Sequence, residues 1–140
     1  MKKFLFMIVL LILLSACTTN SGTPIEPNEN NMIIHIKNNT DFKLFGLEVA
    51  ILNHSQGSVN ADGSAIKKGD ELTFELLKED LELNGEVDME VFILTDTHIE
   101  DNGDRIPLKD TVAVTLDSNK EIFFELTGET VNEAVLRMVK

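Results

Sequence analysis

The chain has 140 residues, with 12 Lys or Arg against 24 Asp or Glu, so its formal net charge is −12 at pH 7. Its only cysteine is Cys17, and its aromatic residues are eight Phe, with no Trp or Tyr. These numbers exclude a disulfide framework and a Cys-rich zinc site, and they favour one domain over two. They also argue against nucleic-acid binding, which needs a basic surface.

Residues 1–16 have the pattern of an export signal. Lys2 and Lys3 form a positive start, and an unbroken apolar run of 11 residues, Phe4 to Leu14, follows. A membrane-spanning helix needs about 20 apolar residues, so this run is too short to span and fits the hydrophobic region of a signal peptide. The alternative is a short core helix, but the sequence predicts no second helix for it to pack against.

The end of this segment carries a motif. Leu14-Ser15-Ala16-Cys17 has an aliphatic residue, two small residues and a cysteine in sequence, and it resembles the lipobox of bacterial lipoproteins. The resemblance implies that Cys17 receives a diacylglycerol group and becomes the first residue after cleavage. It implies a location in the bacterial cell envelope, lipid-anchored on the extracytoplasmic face of a membrane. Whether that membrane is an inner membrane, an outer membrane or the only membrane of the cell is left open.

Residues 17–31 form the predicted lipidated N-terminus and flexible tether. The segment is rich in Ser, Thr, Asn, Pro and Glu, and Ile25 is its one large aliphatic residue. Such a composition cannot bury a core, so a disordered stalk is expected. The folded domain is therefore predicted to span residues 32–140.

The domain shows apolar residues at every second position, which is typical of strands with one buried face. Six segments have this pattern, and their predicted inward-facing residues are Ile34 and Ile36; Phe45, Leu47, Val49 and Ile51; Leu72, Phe74 and Leu76; Val87, Met89, Val91 and Ile93; Val112, Val114 and Leu116; and Ile122, Phe124 and Leu126. The fold class is therefore all-β. We predict a small antiparallel β-sandwich of immunoglobulin-like architecture with six to seven strands.

Turn-forming residues separate these segments. Turns are predicted at residues 37–41, 53–55, 56–58 and 62–64, and later at Asn84-Gly85 and Asn102-Gly103. Residues 130–139 fit two interpretations, because Thr130 and Glu133 have capping-box spacing while Ala134, Leu136 and Met138 alternate as in a strand. A seventh strand is slightly preferred, since a sheet edge offers it a partner.

Several apolar residues fall on the face opposite to the predicted core. They are Leu44, Leu52, Leu77, Phe92, Leu94 and Phe123. Two interpretations stay open for this set, namely that they fill the ends of the domain or that they form an exposed patch.

No catalytic pattern is present, and the sequence predicts neither an enzyme nor a cofactor. No serine lies in a Gly-x-Ser-x-Gly turn, and the adjacent His54 and Ser55 do not by themselves define a catalytic triad. His35 and His98 are interpreted as ordinary strand or loop residues, because a histidine without partners has no assigned role.

The densest acidic segment is residues 96–104. Its oxygen donors make Asp96, Glu100, Asp101 and Asp104 the candidate metal ligands, of the kind that Ca²⁺ prefers. The spacing does not match an EF-hand loop, because Thr97 and Lys109 would occupy the first and last positions. A solvated hairpin loop is the preferred interpretation, and a Ca²⁺ or other cation site is the alternative.

The acidic segment 78–86 joins two predicted strands and is the first candidate for a surface that binds a basic partner. Taken together, these patterns lead to a functional hypothesis. We expect a lipid-anchored, non-catalytic binding or accessory module that contacts another envelope protein. The alternative hypothesis is an acidic, Ca²⁺-responsive surface module.

Overall fold

The computed structural model describes residues 24–95 and 104–139. In these residues the chain is all-β, with nine strands and no α-helix, which confirms the predicted fold class. The strands are β1 Asn31–Thr40, β2 Gly46–Ile51, β3 His54–Val59, β4 Glu71–Leu77, β5 Glu86–Leu94, β6 Arg105–Pro107, β7 Val112–Thr115, β8 Lys120–Gly128 and β9 Val135–Val139. This part of the chain contains no helix with the length and apolarity needed to cross a bilayer.

The strands form two sheets with the core between them. One sheet has the order β4-β1-β8-β9, and the other has the order β3-β2-β5-β6, with β7 also paired to β5. A single cluster of buried side chains draws on both sheets, including Phe74 and Phe124 from the first and Met89 and Val91 from the second. The alternation of apolar residues therefore identified the inner face of most strands correctly.

The direction of one strand pair differs from the prediction. β1 is antiparallel to β4 but parallel to β8, with Ile34 opposite Ile122 and Ile36 opposite Phe124. The predicted antiparallel arrangement therefore holds for the other strand pairs and is wrong for this one. Period-2 alternation reports which face is buried and carries no information on strand direction, so the sequence pattern could not distinguish the two arrangements.

β3 and β6 were not predicted as strands. Residues 56–58 were expected to form a turn but lie within β3, and the turn itself contains Leu52, whose φ of +53° is left-handed. Among the described residues, β3 pairs only with β2 and lies at a sheet edge, where little apolar surface is needed. A side chain at Gly46 would meet Val59 Cγ1 at 2.5 Å and the Ser58 carbonyl oxygen at 2.6 Å, so glycine permits this close pairing.

The structure differs from two further predictions near the end of β1, one about a turn and one about a core residue. The predicted turn at residues 37–41 is mostly strand, since β1 continues to Thr40. Phe45 was predicted to be a core residue, but it is only half-buried, with the Lys43 amine 4.9 Å from its ring centroid. Leu44 is buried instead, because the chain reaches β2 through an isolated bridge to Ile66 and not through a regular strand.

The C-terminal segment is a strand, as the sequence slightly favoured. A single 3₁₀ turn, Val131–Glu133, precedes β9, which pairs antiparallel with β8. The residues of the capping-box pattern do contact each other, since the Thr130 hydroxyl donates to Glu133 Oε2 at 3.1 Å. This contact closes a short turn and does not begin an α-helix.

Residues 28–31, at the end of the predicted tether, are bonded to the folded body. The Asn119 amide donates to the carbonyl oxygens of Asn28 at 2.8 Å and of Asn31 at 2.9 Å. Asn31 is the first residue of β1 and is buried. The chain therefore enters the domain beside the turn that precedes β8. The predicted signal segment and Cys17 lie outside the described residues.

Candidate functional site

The predicted cation site falls largely outside the described residues. Asp96, Glu100 and Asp101 are not described, whereas Asp104, the first described residue after them, is exposed. There the Thr95 hydroxyl accepts a bond from the Asp104 amide at 3.0 Å. Within residues 24–95 and 104–139, no group of three or more His, Cys, Asp or Glu side chains is placed to hold a metal ion. The cation site remains a prediction.

A charged cluster that includes Arg105 lies on the outer face of the five-stranded sheet. The Arg105 guanidinium donates two bonds of 2.8 Å to the carboxylate of Glu48 and lies 3.4 Å from the centroid of the Phe92 ring. The hydroxyl of Ser55 donates to the same carboxylate. The bidentate Arg105–Glu48 pair, stacked on the Phe92 ring, connects β2, β5 and β6. The hydrogen bonds of this pair therefore stabilise the fold.

The electrostatics of the cluster follow from this geometry. The hydrogen bond from Arg105 lowers the pKa of Glu48. Partial burial of the carboxylate acts in the opposite direction, and the hydrogen bond from Ser55 lowers the pKa further. The same carboxylate raises the pKa of Arg105. Because Ser55 donates to Glu48 and not to a histidine, the adjacent His54 and Ser55 are not joined in a catalytic arrangement.

The exposed apolar surface is concentrated on β8 and β9. Of the seven large apolar side chains that are exposed in the described residues, four belong to these two strands, and we call Phe123, Val135, Met138 and Val139 the apolar edge. β9 is the last strand of its sheet, and Val139 lies directly opposite Phe123. Phe123, Val139 and Val135 lie on the outer face of this margin, with Arg137 between the two valines, whereas Met138 lies opposite the buried Phe124 on the other face.

The structure shows which of the six apolar residues opposite the predicted core face are buried and which are exposed. Leu44, Phe92 and Leu94 are buried, and Leu77 is half-buried. Leu52 and Phe123 are exposed, but Leu52 lies in the turn between β2 and β3, whereas Phe123 lies on β8. The exposed-patch interpretation holds for Phe123. The sequence did not identify Val139 as its cross-strand neighbour, because the exposure of Val139 depends on β9 being an edge strand.

His35 supports the ring of Phe123. The two rings stack with centroids 4.5 Å apart and planes 8° apart. His35 Nδ1 lies 2.9 Å from Glu71 Oε1, while Nε2 is buried, makes no hydrogen bond in the described structure and lies 3.4 Å from Glu121 Oε2. The imidazole is thus held between two carboxylates, and it fixes the plane in which Phe123 is presented.

A shallow pocket adjoins the apolar edge. Its volume is about 250 Å³, and its lining residues include Lys37, Glu71, Phe123, Glu125 and Val139. Apolar walls with charged groups at the margin suit a side chain with an aliphatic stem and a charged end.

The acidic segment 78–86 has a mixed character. Leu81 and Leu83 are buried and attach the segment to the core, while Glu79 and Glu82 are exposed. The Lys78 amide donates to the Asn30 carbonyl oxygen at 2.8 Å, so this loop lies at the end where the chain enters the domain. The loop is a fixed part of the fold with an acidic outer side.

Comparison of the chain with protein families, with curated proteins and with solved structures found no match.

Proposed function

We propose that the protein is a lipid-anchored, non-catalytic binding module that contacts another protein of the bacterial cell envelope. The lipid would be carried by Cys17 in the Leu14-Ser15-Ala16-Cys17 motif. The observation that carries the proposal of a protein partner is the apolar edge. Phe123 is 40 % exposed and Val139 is 48 % exposed, side by side on the outer face of the sheet.

An exposed apolar edge strand is a liability for an isolated domain. Natural proteins usually protect such strands with charged residues, prolines or bulges, because an open edge can pair with another chain. β9 has the sequence Val-Leu-Arg-Met-Val, with Arg137 as its only charged residue. Clustered exposed apolar residues with a polar surround are typical of protein-binding surfaces. These features support binding through the apolar edge.

A chemical crosslinking experiment on native membranes tests the proposal. Full-length lipidated protein is crosslinked and purified, in parallel with the variants Phe123→Ala and Val59→Ala. We expect one reproducible envelope protein with the unmodified chain and with Val59→Ala, and its loss with Phe123→Ala. If Phe123→Ala still captures the same protein, or if no protein is crosslinked in any sample, binding through this edge is refuted.

The proposed anchor gives a separate prediction. Replacing Cys17 by Ser removes the thiol to which a lipid would be attached, so Cys17→Ser should leave the membrane fraction or keep its signal segment uncleaved. Mass spectrometry of the N-terminal peptide and membrane fractionation measure the two effects, with Thr18→Ser as the control. Normal cleavage and an attached lipid in Cys17→Ser would show that the lipobox interpretation is wrong.

A further inference from the structure

His35 lies on the outer face of the β4-β1-β8-β9 sheet with one carboxylate beside each of its ring nitrogens. Nδ1 lies 2.9 Å from Glu71 Oε1 on β4, and Nε2 lies 3.4 Å from Glu121 Oε2 on β8. A neutral imidazole carries one N–H and can donate to only one of these carboxylates, whereas a protonated imidazole donates from both nitrogens. Both carboxylates therefore have a donor only when the ring is protonated.

Nε2 is the atom whose surroundings differ between the two charge states. It is buried, and in the described residues it makes no hydrogen bond. Since Nδ1 has the shorter carboxylate contact, the single N–H of a neutral ring is directed at Glu71, and the lone pair of Nε2 then faces the Glu121 carboxylate. A proton on Nε2 replaces this repulsion by attraction between opposite charges and gives Glu121 a donor.

The other charges on this face leave Glu71 and Glu121 to the imidazole. The ionisable side chains at outer-face positions around His35 are Glu71 and Glu75 on β4, Glu121 and Glu125 on β8, Lys37 on β1 and Arg137 on β9. Glu75 accepts a hydrogen bond from the Asn31 amide at 2.6 Å, and Glu125 accepts one from the Asn39 amide at 3.1 Å. The two cations lie opposite Glu125, and Lys37 also lies opposite Glu71. A positive charge on His35 is thus balanced by carboxylates on both sides.

The same imidazole supports the exposed ring of the apolar edge. The rings of His35 and Phe123 stack with centroids 4.5 Å apart and planes 8° apart. A cation on the face of an aromatic ring is attracted by its π-electrons. Protonation of His35 therefore strengthens its contacts with both carboxylates and its stack on Phe123 at the same time.

We propose that His35, Glu71 and Glu121 form a proton-dependent clamp, which holds Phe123 for the partner protein more firmly at pH 6 than at pH 8. This inference rests on the proposed function and adds its regulation. Histidine is the side chain that ordinarily changes its charge between pH 5 and pH 8, and an extracytoplasmic domain is exposed to the pH of its surroundings. A fixed Phe123 ring loses less conformational freedom on binding, so the clamped state binds more tightly.

Urea unfolding of the full-length protein in detergent micelles tests the clamp without a partner. The protonated state is the stabilising one, so its contribution is present at low pH and is lost as pH rises. We expect His35→Gln, which takes up no proton, to increase the equilibrium constant of unfolding about tenfold more at pH 6 than at pH 8. His54→Gln, at a histidine on β3 in the other sheet, is the matched control and should have the same effect at both pH values.

A second variant tests the part played by Nε2. In Glu121→Gln the new side-chain amide can donate to the unprotonated Nε2, so the neutral ring no longer faces a carboxylate on that side. We expect this variant to fold and to lose most of the difference between pH 6 and pH 8. The same difference in Glu121→Gln as in the unmodified chain would contradict the assigned role of Glu121.

Photo-crosslinking in native membranes tests the regulation. With a photoreactive residue at position 139, capture of the partner should be about fivefold greater at pH 6 than at pH 8, which is a usual size for coupling between two sites. His35→Gln should make capture equal at the two pH values, and His54→Gln should leave the pH dependence unchanged. Because a titrating group of the partner would act in both variants, the comparison separates its effect from that of His35.

The outcomes separate this inference from the proposed function. An effect of His35→Gln on unfolding that is equal at pH 6 and pH 8, or pH-dependent capture that persists in His35→Gln, would overturn the clamp. If capture depends on Phe123 but not on pH, binding through the apolar edge stands and only its regulation is wrong. If unfolding shows the clamp but no protein is captured at either pH, the proposed function is refuted, and the regulation with it.

Discussion

At the scale of single residues, Asn38 shows how a buried polar side chain holds two segments together. Its side-chain amide donates to the Ile66 carbonyl oxygen at 3.0 Å, and its side-chain oxygen accepts from the Thr40 amide and hydroxyl at 3.1 and 2.8 Å. Its main chain bonds to Gly69 and Asp70. The Asn-Asn-Thr-Asp sequence is equally typical of a turn, so only tertiary contacts identify Asn38 as a buried strand residue.

Removing this side chain should be costly. Asn38 is 2 % exposed, so Asn38→Ala leaves buried donors and acceptors without partners, which costs about 1–3 kcal/mol in the free energy of unfolding. Urea denaturation measures the loss. Asn84→Ala, at an exposed asparagine whose side chain donates to the Glu82 carboxylate, should change stability by less than about 0.5 kcal/mol. Equal effects of the two substitutions would contradict the assigned role of Asn38.

Glu48 gives a prediction about pH. Because Arg105 lowers its pKa in the folded chain, the ionised carboxylate stabilises the fold above its unfolded pKa of about 4.3. That stabilisation is lost as pH falls through the folded pKa. The difference in free energy of unfolding between the unmodified chain and Glu48→Gln should therefore shrink between about pH 7 and about pH 3.

Urea denaturation at a series of pH values measures this difference. Glu79→Gln, at an exposed carboxylate of the acidic loop, serves as the control. A difference for Glu48→Gln that stays constant over the whole pH range would show that the Arg105 pair does not stabilise the fold through the charge of Glu48.

At the scale of strands, the sequence predicted the strands that bury one apolar face against the core. Strands β1, β2, β4, β5, β7 and β8 have apolar residues on the core face, so period-2 alternation located them. β3 and β6 are short or polar, and the sequence contains no comparable signal for them. The apolar edge was predicted only through Phe123, because the sequence does not show that β9 ends the sheet. The immunoglobulin-like character of the fold remains a prediction.

Two adjacent phenylalanines on β8 test the assignment of faces. Phe124 is 1 % exposed in the core, so Phe124→Ala should cost about 3–5 kcal/mol in the free energy of unfolding. Phe123 projects from the outer face and stacks on His35, so Phe123→Ala should cost about 1 kcal/mol. Thermal or urea unfolding compares the two variants. A larger loss for Phe123→Ala would mean that the face assignment of β8 is wrong.

At the scale of the whole molecule, the chain entry and the apolar edge belong to the same sheet, on β1 and on β8 and β9. The chain enters the domain at Asn31, and the acidic segment 78–86 lies at that same end. With a lipid on Cys17, this end would face the membrane, where its negative charge would be repelled by anionic head groups. The apolar edge lies on β8 and β9, where the proposed envelope protein would bind.

The central claim is that this protein binds a partner through the apolar edge, and site-specific photo-crosslinking in native membranes tests it most directly. A photoreactive residue at Val139 is compared with one at Val59, a valine of matched exposure, 48 % against 46 %, on β3 at the edge of the other sheet. We predict a crosslink to one envelope protein from position 139 and none from position 59. Absence of a crosslink from position 139, or equal crosslinking from both positions, would contradict the claim.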